Sequence, residues 1–237
     1  MLKETFFKSI IRSLTHLVYP SQCVICSEEI LSDHETAICP FCNDALNYTH
    51  FEKYTEATPV DKLFWGKVSV VSTFALLYFE KGKSTQQILH ALKYHFNPKI
   101  GIEFGKRIGV HLKKMQKFND ADAIIPVPIH PKKEFTRGYN QSEPLAIGLA
   151  KKLNIPVKTD FIQKYKNTIS QTKLNKFDRW DNVSGKFHTN SSKNQLKHVI
   201  IIDDVITTGS TIESLIRSIH NNYPEIRISV VSFAFAK

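Results

Sequence analysis

The stretch Val199-Ile-Ile-Ile-Asp-Asp-Val-Ile-Thr-Thr-Gly-Ser-Thr211 decides the fold. It opens with a continuous apolar run, Val199–Ile202, of the kind found in a parallel strand covered on both faces. Two adjacent carboxylates, Asp203 and Asp204, follow at the carboxyl end of that strand. A short loop of hydroxyl residues with one glycine comes next: Thr207, Thr208, Gly209, Ser210 and Thr211. Ile212, Leu215, Ile216 and Ile219 then recur at helical spacing. In open α/β sheets, ligands sit outside the carboxyl ends of the strands. A helix N-terminus offers free N–H groups and a positive dipole end, which suit a phosphate. Gly209 permits close backbone approach and the hydroxyls add donors. Two carboxylates beside a phosphate need another group to serve, and ribose hydroxyls, which can donate to both, fit that need. The spacing is not that of a Walker loop, G-x-x-x-x-G-K. The bland reading of the same residues is a strand–turn–helix with hydroxyl caps.

Working outward, the chain alternates between strand and helix signals. Val68–Phe79 reads as strand, ending at a turn over Glu80–Gly82. Ser84 caps a helix through Leu92, and Phe104, Ile108, Leu112 and Met115 mark one face of another. Ala123–Val127 is a short apolar strand. Ser142 caps a helix in which Leu145, Leu149 and Leu153 share a face, with Pro144 in its first turn. Ile155–Val157 starts a further strand and Ile228–Phe235 is the last. The expectation is an α/β fold with a mostly parallel sheet flanked by helices. Residues 51–66, polar and aperiodic with Pro59 and Gly66, read as a linker. They divide the chain into an N-terminal part, 1–60, and a larger domain, 61–237. Within the first part, Phe6, Phe7, Ile10, Ile11, Leu14 and Leu17 predict a short amphipathic helix.

All four cysteines lie in two C-x-x-C pairs, Cys23/Cys26 and Cys39/Cys42. Two such knuckles complete a tetrahedral thiolate shell, which suits structural zinc with no vacant position. The competing readings are two disulfides or redox thiols, and disulfides need an oxidising compartment. His34 and His50 lie nearby but are not required as ligands.

The 237 residues carry a formal net charge of +10, which favours anionic partners: phosphorylated small molecules, nucleic acid or an acidic surface. The excess is concentrated in residues 151–200, where ten lysines and Arg179 face Asp160, Asp178 and Asp181. No apolar run reaches about 18 residues, so no membrane span is expected. No export leader is recognised, and the expected location is cytoplasmic.

Asp203-Asp204-Val-Ile-Thr-Thr-Gly-Ser-Thr resembles the phosphoribosyl pyrophosphate (PRPP) signature of type I phosphoribosyltransferases. Three further segments resemble the ComF family in particular. They are Ile88-Leu-His-Ala-Leu-Lys-Tyr94, Ile125-Pro-Val-Pro-Ile-His130 through Arg137-Gly-Tyr-Asn-Gln141, and Thr168-x-x-Gln171 with Arg179 and Asn182-Val-x-Gly185. With the paired knuckles, the resemblance runs over nearly the whole chain. It departs at Glu134 and Phe135, in a stretch usually richer in arginine, and at Lys164 and Lys166, where arginines are common. Lysine keeps the charge and loses the bidentate fork.

The resemblance implies a zinc ribbon followed by a type I phosphoribosyltransferase-like sheet. It implies that Thr207–Thr211 cradle a 5-phosphate and that Asp203 and Asp204 are the catalytic pair at the ribose. A pyrophosphate with Mg²⁺ would meet the loop Ile129, His130, Pro131 and Lys132. Arg137, Tyr139, Asn140 and Gln141 would support that loop or reach the ligand. Asn140 and Gln141 also read as helix caps. The stretch Lys164–Arg179 would close over bound ligand. Two functions stand side by side. One is Mg²⁺- and PRPP-dependent phosphoribosyl transfer to an unidentified acceptor. The other is a ribose-phosphate or single-stranded DNA binding module, with Lys173–Trp180 as an aromatic-flanked basic cluster. The family implies a link to natural competence and DNA uptake beside a helicase-like partner.

Overall fold

The computed structural model describes residues 22–30, 36–94, 97–164, 187–189 and 196–237. The N-terminal helix expected over Phe6–Leu17 lies outside these residues. So do His34, His95, and the Thr168, Gln171, Lys173–Trp180 and Asn182–Gly185 elements.

Four strands form the central sheet: β1 (Thr73–Phe79), β2 (Ala123–Pro126), β5 (His198–Ile206) and β6 (Arg227–Ala236). Their order is β1-β6-β5-β2 and every pairing is parallel. The apolar run in β5 is fully buried because β5 is a central strand, paired with β2 on one side and β6 on the other. Val157, expected to start a strand, makes a single parallel bridge to Ile124 at the outer edge of β2. A small antiparallel pair, β3 (Ile162–Lys164) with β4 (Phe187–Thr189), stands apart from this sheet.

Helix α3 (Ser84–Tyr94) follows β1, then α4 (Pro98–Leu112). Strand β2 leads into α5 (Pro131–Arg137) and α6 (Ser142–Leu153), and β5 into α7 (Ser210–Asn222). Helices α4 and α6 approach backbone to backbone where Gly105 crosses Gly148. A Cβ on Gly105 would meet the Leu145 carbonyl oxygen at 2.1 Å, and one on Gly148 the Ile102 carbonyl oxygen at 2.1 Å. Phe104, Ile108, Leu145 and Leu149 then seal that layer into the core. This is the α/β architecture expected from the alternation of strand and helix signals.

Two expectations are corrected. Residues 51–66 are not a linker. They hold a short 3₁₀ turn (Phe51–Lys53) and helix α2 (Pro59–Lys62), preceded in the chain by α1 (Pro40–Asp44). A capping box between Thr58 and Asp61 fixes the start of α2, and Phe51, Val60 and Phe64 are buried. Their wide spacing hides them from any periodicity test. Ser142 does not cap α6; the cap position is Gln141, and Ser142 is its first helical residue.

Candidate functional site

The connectivity locates a crevice. After β5 the chain crosses through α7 to β6; after β2 it turns the other way, to the bridge at Val157 on the outer edge. The chain therefore diverges between β2 and β5, and the carboxyl ends of these strands are the switch point at which open α/β sheets form a ligand crevice. The register pairs Pro126 with Ile202, so Asp203 is the first residue of β5 past that rung.

Asp203 and Asp204 are half-buried there and engaged differently. The Ser142 hydroxyl donates to Asp203 Oδ1 at 3.2 Å, and the Asp204 backbone N–H donates to the same oxygen at 2.8 Å. Burial and the neighbouring Asp204 charge push the Asp203 carboxyl up to about 8, against the pull of those two donors and of Lys93. Asp204 accepts the Val205 N–H at Oδ1, 2.7 Å, and the Lys93 ammonium stands 2.9 Å from Oδ2.

The phosphate-type loop follows. Thr207, Thr208, Ser210 and Thr211 are exposed, and Gly209 is buried. Gly209 caps α7 in a left-handed conformation, φ +75°. A Cβ there would also press on the Phe64 ring at 3.1 Å, so glycine is required twice over. Thr208 and Ser210 share a hydroxyl contact at 3.2 Å. The 13-residue α7 directs the N–H groups of its first turn toward this loop.

On the β2 side, the residues expected to meet a pyrophosphate form a well-bonded corner. Ile129, His130 and Pro131 are half-buried and Lys132 is exposed. His130 caps α5, its Nδ1 accepting the Lys132 N–H at 3.2 Å. Gly138 ends α5 in the left-handed region, φ +76°. Asn140 is buried, donates to the Val127 carbonyl at 3.1 Å and accepts the Ser142 N–H at 3.1 Å. Gln141, also buried, accepts from Arg137 at 2.7 Å and donates to the Tyr139 carbonyl at 2.9 Å. The Tyr139 hydroxyl donates to the Leu92 carbonyl, and the Arg137 guanidinium lies 5.7 Å from the Tyr94 ring centroid. Asn140, Gln141 and Tyr139 thus tie together β2, α3 and the start of α6.

Lys93 and Ser142 are the residues that sequence reasoning passed over at this site. Both stood inside quoted segments: Lys93 in the Ile88–Tyr94 element, Ser142 directly after Gln141. Only the fold brings them to the aspartates.

The four cysteines converge independently of this crevice. None forms a disulfide, and their sulfurs all lie within 4.8 Å of one another. Cys26 Sγ and Cys39 Sγ are 3.8 Å apart, close to the roughly 3.8 Å edge of a tetrahedron with about 2.3 Å zinc–sulfur bonds. The Cys39 N–H donates to Cys23 Sγ and the Cys42 N–H to Cys39 Sγ, each at 3.4 Å. Burial opposes ionisation of Cys23, but backbone N–H groups hold its thiol down at about 6. Burial and the adjacent sulfurs push Cys42 up. Four such thiols cannot all ionise without a cation among them, and the arrangement can hold a structural metal.

The remaining described histidines do not gather at the crevice. His198 is fully buried between Asp120 Oδ1, 2.7 Å from Nδ1, and the Ser229 hydroxyl, 2.9 Å from Nε2. Among the described residues, no helix is long and apolar enough to cross a membrane.

Residues 140–236 match the model of the phosphoribosyl transferase domain. Competence protein F of Haemophilus influenzae is 36% identical over 105 residues, covering 44% of this chain and 46% of that protein. DNA utilization protein YhgH of Shigella flexneri is 23% identical over 205 residues, covering 84% of each. The chain is similar to these competence and DNA-utilization proteins. With competence protein F the match spans less than half the length of the relative; with YhgH of Shigella flexneri it spans most of both. Among solved structures, glutamine PRPP amidotransferase from B. subtilis aligns with a TM-score of 0.39 at 19% identity, over 60% of this chain and 30% of that one. Helicobacter pylori xanthine-guanine-hypoxanthine phosphoribosyltransferase aligns with 0.37 at 15%, over 60% and 84%. The domain match and the parallel sheet give an α/β phosphoribosyltransferase-type fold, with a four-cysteine module on its N-terminal side.

Proposed function

We propose that the crevice between β2 and β5 binds a ribose-5-phosphate group, in PRPP or a related ligand, in a protein that serves DNA uptake or utilisation. One observation carries the reading. Asp203 and Asp204 lie near the carboxyl end of a central strand, followed by a loop of exposed hydroxyls and the N-terminus of α7, with left-handed Gly209 as its cap. The N–H groups at Gly209–Thr211 and the hydroxyls of Thr207, Thr208, Ser210 and Thr211 would receive the 5-phosphate. The carboxylates would accept from the ribose hydroxyls. In a transferase, the same carboxylates face the positive charge that develops at the anomeric carbon as the pyrophosphate departs. Mg²⁺ bound with the pyrophosphate would neutralise its charge. The corner at Ile129–Lys132 would meet that pyrophosphate, and Arg137, Tyr139, Asn140 and Gln141 would hold the corner in place. The four cysteines would hold one structural zinc ion, for which the 3.8 Å sulfur separation is suited.

The test is calorimetric titration with PRPP, with and without Mg²⁺, on the wild type and on an Asp203→Asn/Asp204→Asn variant. Saturable, Mg²⁺-dependent binding lost in a folded variant is expected. A folded wild type that binds no PRPP would overturn the reading.

A second reading is single-stranded DNA binding in a DNA-uptake assembly. It is favoured by the net charge of +10 and by exposed Tyr94 under Arg137 at the crevice edge. Binding through backbone phosphates would weaken steeply with added salt. PRPP binding would depend instead on Mg²⁺ and the aspartates.

A further inference from the structure

We propose that Lys93 is the resident cation of the carboxylate pair, standing where a divalent ion would otherwise approach Asp204, so that the site takes a ribose 5-phosphate without metal. The inference rests on the ribose-phosphate reading above. It adds a positioning residue from a helix that the phosphate motif does not contain.

The geometry is specific. Lys93 Nζ stands 2.9 Å from Asp204 Oδ2, with side-chain exposures of 24% and 16%. A pair this sheltered from water is screened far less than one on the surface. Both oxygens of Asp204 are engaged, Oδ1 by the Val205 N–H at 2.7 Å and Oδ2 by Lys93. The Lys93 ammonium repels a metal ion that approaches Asp204, whereas a neutral sugar hydroxyl can donate to the remaining lone pairs.

The last turn of α3 is held so that Lys93 reaches inward. Its Leu92 carbonyl accepts the Tyr139 hydroxyl, and the Tyr94 ring lies beside Arg137. Arg137 is itself fixed on Gln141 at 2.7 Å. Three segments far apart in sequence, 88–94, 137–142 and 203–211, are thereby locked to one centre. At that centre the two carboxylates have unlike partners, a hydroxyl from Ser142 for Asp203 and an ammonium for Asp204. The positive charge offsets the repulsion that a bare carboxylate pair would exert on an incoming phosphate.

The test uses ribose 5-phosphate, which has no pyrophosphate and so separates this cation from any that accompanies PRPP. Calorimetry of the full chain should give the same affinity, within about twofold, with EDTA or with millimolar Mg²⁺. Lys93→Met should weaken metal-free binding at least about tenfold, and Mg²⁺ should recover most of the loss. Lys93→Arg, which keeps the charge, should behave like the wild type, and thermal melts would verify that each variant is folded. Wild-type binding of ribose 5-phosphate that needs Mg²⁺ would overturn the inference and leave the ribose-phosphate reading intact. So would a Lys93→Met variant that binds as tightly as the wild type in EDTA. A wild type that binds neither ribose 5-phosphate nor PRPP would overturn the reading itself, and the inference with it.

Discussion

The two ends of the parallel sheet carry similar residues in opposite states. At the amino end, Ser229, His198, Asp120 and Arg227 form a continuous chain of contacts. Buried His198 is bonded at both ring nitrogens, Asp120 bridges it to Arg227, and Asp122 accepts the Lys197 and His198 N–H groups at 2.6 and 2.8 Å. At the carboxyl end, Asp203 and Asp204 are crowded together beside exposed hydroxyls and an open helix N-terminus. The Ser–His–Asp order of contacts at the amino end looks catalytic, yet Ser229 is wholly buried and no substrate can reach it. Completed hydrogen bonding marks a structural cluster here, and crowded carboxylates beside open donors mark a binding one.

This contrast can be broken in several ways. The largest effect is expected from His198→Ala, which opens a cavity and strands the partners on both sides. It should cost about 3 kcal/mol of stability in a urea melt while shifting ribose-phosphate affinity less than about twofold. A large loss of affinity at unchanged stability would show that the two ends are not separate in role. Next, Asp203→Asn/Asp204→Asn should weaken PRPP binding at least about 100-fold, roughly 2.7 kcal/mol, with no loss of melting temperature. A variant that unfolds would mean the pair is part of the core.

The pH dependence should have opposite sign at the two ends. Asp203 holds its proton up to about 8 when folded and releases it near 3.8 when unfolded, so folding takes up a proton and stability falls as pH rises from about 4 to 8. Arg227, with His198, holds Asp120 down at about 2, so its contribution is present above about 4 and fades as pH falls toward 2. Melting curves of Asp203→Asn should therefore decline less than the wild type between pH 5 and 8. Parallel profiles would place the Asp203 proton elsewhere. The smallest effect is expected from Thr208→Ala, which removes one exposed hydroxyl and leaves the α7 N–H groups. It should weaken phosphate binding by about threefold, and no change would mean the backbone alone holds the phosphate.

How much of this was legible beforehand depended on contiguity. β5, the hydroxyl loop and α7 were read correctly because strand, loop and helix follow one another without interruption, each with its own pattern. The paired knuckles were equally plain, since a C-x-x-C turn fixes both sulfurs locally. Phe51, Val60 and Phe64 were missed, because buried residues scattered through short turns follow no period. Its residue type makes Ser142 a cap candidate; in the fold its hydroxyl donates to Asp203 and its own backbone N–H donates to Asn140 Oδ1.

The sequence by itself determined the α/β alternation, the two-knuckle sulfur module, and the order carboxylates, hydroxyls, glycine, helix at the end of β5. Those features are set by interactions between residues a few positions apart, which propensity and spacing record. Only the tertiary structure decided that Lys93 and Ser142 meet the aspartates, and that His198 and Ser229 are buried together behind exposed Asp120. Both depend on the parallel register of β2, β5 and β6 and on the docking of α3 and α6, which bring together side chains 31 to 111 positions apart. No local pattern encodes such a meeting, because it is fixed by how whole elements pack.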